Sequence, residues 1–333
     1  MVFPPRAAAL TVLLGCQLYG SAAPAAPASS PHCLVNTAAQ PAVMRLREAM
    51  AQGRFIAYQP TSLKVIDGRF IEADAGSIRM DLKELRQRFD ALITYDAVHG
   101  AQQIPAIAAE LKFRALIIGV WDPREPQQLA AALEAARRFP QLIAGLSLGN
   151  EMLFAHRIEP AALLALIAQV RAQAPALPLS TTEPFHVYDQ GAAAAVPGRL
   201  DFLLLNVHPV FQPWFRAAPD SAAAQFVVNV LVKLAPLACG PMLVKETGVP
   251  TAPASGGFSE ARQGRFYREL RRVLPPTRAQ AFAYFAAYDA PWREYDATGV
   301  PGSLVHPEEA HWGLYDAARR PKAAALEVPA LPQ

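Results

Sequence analysis

Nothing in this sequence is built to hold phosphate, zinc or nucleic acid. It has no glycine-rich phosphate loop, no Cys/His run with zinc-site spacing and no basic stripe. The formal charge is only +3, and Arg6 is the one charged side chain before residue 33, so the rest of the chain carries +3 less that arginine, or +2. That is too little to favour nucleic acid or an anionic membrane surface as a partner. Histidine is scarce, at 7 residues, and no HxH pair opens a metal-dependent barrel site. Serine-nucleophile chemistry is not expected. TGVPT and DAPWRE, the segments after the last two apolar runs, are poor phosphate-binding loops. No internal repeat is visible, and no Gly/Ser linker interrupts residues 36–325.

What is present begins with a leader. MVFPPR is a short positive segment, and AAALTVLLG after it is too short to span a bilayer as a helix. Two endings fit the letters. LLGC at 13–16 resembles a bacterial lipobox, which makes Cys16 the lipidated first residue, and GSAA at 20–23 suits an ordinary signal peptidase. SAAPAAPASSP then reads as a tether, so residues 1–31 are leader plus tether and 326–333 a C-terminal tail. The expectation is export to the periplasm or cell envelope, with a lipid anchor if Cys16 is modified. Cys33 and Cys239 are then left over. They either pair in an oxidising compartment or stay as separate thiols, and sequence spacing does not decide between the two.

Between residues 36 and 325, short apolar runs alternate with helical patterns. The runs are 54–60, 90–96, 114–122, 142–151, 177–184, 200–209, 241–250 and 281–292. Helices are expected after Pro105, over about 127–138, from Pro160 (Leu163, Leu166, Ile167 and Val170 on one face), from a Ser221 cap, and from a Ser259 cap. Runs this apolar suit parallel strands buried on both faces. Eight of them with helices between predict one (β/α)8 barrel of the α/β class. An open doubly wound sheet would be expected to show a Gly-rich turn after its first strand, and IAYQPTSL has none.

Barrel sites form at the C-terminal strand ends. Polar and aromatic residues recur there: Tyr58, Tyr95, Asp96, Asn150, Glu151, Glu183, Asn206, His208, Glu246, Asp289 and Trp292. Glu151 ends the fourth run and Glu246 the seventh, which puts two carboxyls on facing walls. Such a pair can cleave a glycosidic bond, one protonated to donate to the leaving oxygen and one ionised to attack the anomeric carbon. Two like charges in proximity also raise one pKa, which supplies the acid. Phe154, Phe185, Phe211, Trp214, Trp292 and Trp312 fall in the loops, where aromatic faces stack on sugar C–H surfaces; Trp214 and Trp292 are the leading candidates.

SLGNE (147–151), NVHPVF (206–211), KETGVPT (245–251), AYDAPWRE (287–294), HWGLYD (311–316) and RRPK (319–322) together resemble glycoside hydrolase family 17, closest to its bacterial β-1,3-glucan-acting branch. The resemblance covers about residues 54–322. It implies a retaining barrel enzyme with Glu151 as acid/base and Glu246 as nucleophile. Asn150 would position the sugar 2-hydroxyl, while Tyr58, Tyr95, His208, Phe211, Trp214, Asp289 and Trp292 would line the glucose subsites. No metal or organic cofactor is implied, the partner is a β-glucan, and a monomer is the default. Three positions depart from the family pattern: Val249 where an aromatic is usual, Ala290 before Pro291, and Arg293 after the tryptophan. A glucanosyltransferase with the same site and a barrel that binds glycan without efficient turnover are the two alternatives.

Overall fold

The computed structural model describes residues 33–66, 69–293 and 306–332. The expected leader, with Cys16, lies outside them. Eight parallel strands close into a barrel: β1 (Phe55–Ala57), β4 (Ala91–Ile93), β5 (Ala115–Val120), β6 (Ile143–Asn150), β7 (Leu179–Pro184), β8 (Leu203–Asn206), β9 (Met242–Glu246) and β10 (Gln280–Tyr284). β1 closes the ring by pairing with both β4 and β10. A two-stranded antiparallel ribbon, β2 (Lys64–Ile66) and β3 (Arg69–Ile71), follows β1 and stands outside the barrel.

Side-chain alternation sorts each strand between two cores. Phe55, Ile93, Ile117, Leu204 and Leu243 turn into the lumen, where Ala91, Ala115, Ala144, Ala281 and Ala283 leave room for them. Helix α1 (Gln40–Gln52) brings Leu46, Ala49 and Met50 into the same cluster and stops that end of the barrel. The opposite parity, including Ile56, Leu92, Leu116, Leu205 and Val244, belongs to the outer core under the helices. These are α2 (Ala75–Leu85), α3 (Ile104–Glu110), α4 (Pro126–Arg138), α5 (Pro160–Gln173), α6 (Asp220–Leu234), α7 (Glu260–Val273) and the short α8 (Ala323–Leu326).

Capping explains where several helices begin. Pro126 and Pro160 open α4 and α5, where a missing N–H costs nothing. Ser259 caps α7 by accepting from the Arg262 amide. The expected Ser221 cap is corrected: the cap position falls two residues earlier, on Pro219, and α6 starts at Asp220 with no side-chain cap. Asp220 instead takes Arg262 and Arg265 as ion-pair partners.

Two long-range ties hold the chain ends. Cys33 and Cys239 form a disulfide, with Cα atoms 5.6 Å apart across 206 residues. Asp81, wholly buried in α2, accepts from Arg319 Nε (2.7 Å), Thr61 Oγ1 (2.8 Å) and Tyr58 Oη (2.9 Å). The segment after residue 306 is thereby fastened over the β1 and β10 side of the barrel.

Candidate active site

Strand β6 leaves the barrel through two left-handed residues. Gly149 has φ +94°, and a Cβ there would meet Met152 Sδ at 2.6 Å. Glu151 has φ +54°, a strained setting for a non-glycine residue, held by its amide donating to Thr182 O at 2.7 Å. This turn lifts the Glu151 carboxyl out of the ladder, where Asn206 Nδ2 donates to its Oε1 at 2.8 Å. Asn206 is in register with Glu246 across β8 and β9, so the residue that holds one carboxyl neighbours the other in the barrel wall.

Glu246 ends β9 with a side chain 9% exposed, and His208 Nε2 lies 3.4 Å from its Oε2. Lys245 shares the lumen parity of Leu243, two residues before it, and so emerges at the floor of the mouth. Its ammonium donates to Asn150 Oδ1 (2.7 Å), lies 3.5 Å from Glu246 Oε1 and sits 4.1 Å from the centre of the Tyr95 ring. Arg157 holds the Asn150 carbonyl at 2.8 Å.

The two carboxyls are pushed apart in acidity. Burial, then the negative charge of Glu246, holds Glu151 above the ordinary glutamate range, against the Asn206 hydrogen bond. Burial also pushes Glu246 up, but the His208 hydrogen bond and the charge of Lys245 outweigh it, and Glu246 ends below its ordinary value. The Tyr95 hydroxyl contributes in the same direction, although it is buried without a hydrogen bond of ordinary geometry. As pH falls, such a pair takes its first proton on Glu151 and keeps its charge longest on Glu246. Among the described residues, Asn206 Oδ1, His208 Nδ1 and Tyr95 Oη are buried polar atoms with no partner, all within this mouth. Unsatisfied polar atoms gathered at one place suit a polar ligand.

Of the residues expected here from sequence, Asn150, Glu151, Tyr95, His208 and Glu246 are brought together. Phe211 joins them through His208, which packs 5.5 Å from Phe211, 5.3 Å from Phe285 and 5.1 Å from Trp312. Tyr58 is corrected: it is fully buried and its hydroxyl is committed to Asp81, so it cannot line a sugar subsite. Asp289 is corrected likewise, since its carboxylate takes Lys322 Nζ at 2.7 Å and the Gly313 amide at 2.9 Å, fastening the C-terminal segment. Trp214 is 37% exposed and packs edge-on against Phe226 of α6. Trp292 lies beside Arg293, whose guanidinium reaches Gln59 and Glu309. Val249 is wholly buried with its carbonyl held by Gln263, so the departure from an aromatic falls on a packing position.

GLSLG at 145–149 fits the G-x-S-x-G spacing, but the fold gives its serine no nucleophile's place. Ser147 lies within β6, buried, with its hydroxyl against Thr182 Oγ1 (2.8 Å) and the Gly149 carbonyl (3.2 Å). It is a strand residue with no exposed hydroxyl to attack from. Lys245 is not singled out from sequence, and Asn206 and Glu183 stand there only among the polar strand ends, with no role assigned. Glu183 accepts from the Leu153 and Phe154 amides (2.9 and 3.1 Å), pinning the turn behind Glu151, and burial pushes its carboxyl up to about 7. A lysine inside an otherwise apolar strand was the available signal for Lys245.

Residues 56–313 match the model of the BtgE/BtgC glycoside hydrolase domain. A glucan 1,3-beta-glucosidase of Arthroderma benhamiae is 27% identical over 265 residues, 75% of this chain and 84% of that protein. A probable beta-glucosidase of Emericella nidulans is 27% identical over 139 residues, 41% of this chain and 23% of that protein. Among solved structures, a family 17 beta-1,3-glucanosyltransferase from Rhizomucor miehei superposes with a TM-score of 0.61 at 20% identity, covering 82% of this chain and 96% of that one. An active-site mutant of the Rhizomucor miehei enzyme in complex with laminaritriose gives 0.62 at 19% identity, over 84% and 98%. The family match and both structural superpositions extend over the barrel as a whole.

Proposed function

The chain belongs to the BtgE/BtgC glycoside hydrolase family, and from that premise we propose that it is a retaining enzyme acting on β-1,3-glucan, with Glu246 as nucleophile and Glu151 as acid/base. The observation that carries this reading is the placement of two buried carboxyls at one barrel mouth, Glu151 held by Asn206 and Glu246 by His208 and Lys245, which displaces their acidities in opposite directions. In the first step a Glu246 oxygen attacks the anomeric carbon. The glycosidic C–O bond breaks and the leaving oxygen takes the Glu151 proton. In the second step Glu151 accepts a proton from water as the water oxygen attacks that carbon, and Glu246 leaves as a carboxylate. Asn150, held by Lys245, offers its NH2 to the sugar 2-hydroxyl, and Tyr95, His208 and Phe211 wall the subsite. The substrate reading draws on relatives named as a glucan 1,3-beta-glucosidase and a beta-1,3-glucanosyltransferase.

Export belongs to the same proposal, with the leader removed or lipidated at Cys16. The Cys33–Cys239 disulfide supports it, because such bonds persist in oxidising compartments.

The test is incubation of the leaderless protein with linear β-1,3-gluco-oligosaccharides, with products resolved by mass and linkage and Glu246→Gln run in parallel. Shorter products alone identify a hydrolase, and longer products with shorter ones identify transfer. If neither protein changes any oligosaccharide, the substrate reading fails and a binding titration with the same sugars distinguishes a glycan-binding barrel.

A further inference from the structure

Lys245 is a charge sealed inside the barrel mouth: its side chain is 1% exposed. An ammonium has three donors and no acceptor. The Asn150 amide therefore turns its oxygen to Lys245 and its NH2 away from it. The same ammonium lies against Glu246 and over the face of Tyr95.

We infer that Lys245 is a positioning residue whose fixed positive charge is shared in turn by Glu246 and Glu151 through the reaction, while its N–H orients Asn150. This rests on the double-displacement reading above. Before attack, Glu246 is the carboxylate and Glu151 carries the proton. Once the glycosidic bond has broken, the Glu246 oxygen is bonded to the anomeric carbon and uncharged, and Glu151, having given its proton to the leaving oxygen, is the carboxylate. When water attacks and returns a proton to Glu151, the negative charge moves back to Glu246. One carboxylate thus faces Lys245 at either stage, and the pocket never holds that negative charge uncompensated. A buried charge without a partner is costly, so this constancy favours both steps.

The titratable and charged groups facing this cluster are Glu151 and Arg157 after β6, Glu183 from β7, His208 after β8, Glu246 from β9 and Tyr95 after β4, with Arg293 acting on Tyr95 from after β10. Burial pulls the acidity of Lys245 toward neutral amine, and Glu246, Glu151 and Glu183 oppose it.

The experiment compares wild type, Lys245→Met and Lys245→Gln on an activated aryl β-laminaribioside, following kcat and KM across pH, with circular dichroism to confirm folding. Lys245→Met should lose at least about 10-fold in kcat/KM and move its acid limb up by about 1–3 pH units, the range for removing an opposite charge at this distance. Lys245→Gln can still donate to Asn150 but carries no charge. It should regain KM while its acid limb stays displaced. Acid limbs of both variants superposing on wild type would overturn the inference, even with activity reduced. If neither variant folds, wild type trapped as its 2-deoxy-2-fluoro glycosyl ester is titrated by carboxyl-carbon NMR. Glu151 should then titrate below the ordinary glutamate value, and a raised value would overturn the inference. Wild-type turnover of the aryl glycoside is needed in every arm, so its absence reports on the underlying function and not on Lys245.

Discussion

Glu183 couples the stability of this barrel to pH in an unusual direction. It is wholly buried, holds the turn behind Glu151 through two amides, and has its carboxyl raised from 4.5 to about 7. A group whose folded pKa lies above its unfolded pKa binds more protons in the folded state. Its stabilisation is therefore complete below about 4.5 and is lost as pH rises through about 7. The difference of about 2.5 units, at 1.36 kcal/mol per unit, makes the loss about 3 kcal/mol. Glu183→Gln keeps an amide oxygen as acceptor for one of the two N–H groups and removes the titration. Urea unfolding of wild type and variant should be compared at pH 4, 6 and 8, because carboxylates common to both cancel in the difference. At pH 4 the wild type should be the more stable, holding both amides. By pH 8 the difference should have moved by about 3 kcal/mol in favour of the variant. A difference that stays flat across that range would refute the reasoning, and so would one that moves in favour of the wild type.

Other outcomes follow from the same geometry. The pH profile of kcat/KM should be bell-shaped, falling on the acid side as Glu246 takes a proton below the ordinary glutamate value and on the alkaline side as Glu151 loses its proton above it. Asn206→Ala removes the hydrogen bond that favours ionised Glu151, so the alkaline limb should move to higher pH while kcat drops by about 10-fold or more. Cys239→Ser opens a loop of 206 residues and should cost about 2–5 kcal/mol in urea unfolding, with reductant destabilising the wild type but not the variant. Arg319→Met leaves Asp81 buried without its cation and should cost about 3–5 kcal/mol, much of it recovered in the Asp81→Asn, Arg319→Met double variant.

The barrel was legible because its signals are local. Eight apolar runs with helical patterns between them allow few closed arrangements, and the two glutamates could be placed from strand order alone. Side-chain direction was less legible. Tyr58 and Glu151 both follow a strand, yet Tyr58 turns outward to Asp81 while a left-handed residue turns Glu151 toward Asn206. Asp289 looked like a subsite residue until Lys322 arrived from a segment 33 positions later. The β2–β3 ribbon is not among the expected elements, although VIDGRF carries an Asp-Gly pair between two β-prone segments, a short-range hairpin signal. Lys245 was readable in hindsight, as a strand lysine at lumen parity must find carboxylates or cost the fold dearly.

The central claim is that Glu246 becomes covalently bonded to the sugar. Incubation with an activated 2-deoxy-2-fluoro-β-laminaribioside, followed by proteolysis and mass spectrometry, tests it most directly. A single glycosyl adduct on the peptide that carries Glu246 is the expected result. An adduct on the peptide carrying Glu151, or steady turnover of the unfluorinated sugar with inverted product and no adduct, would contradict it.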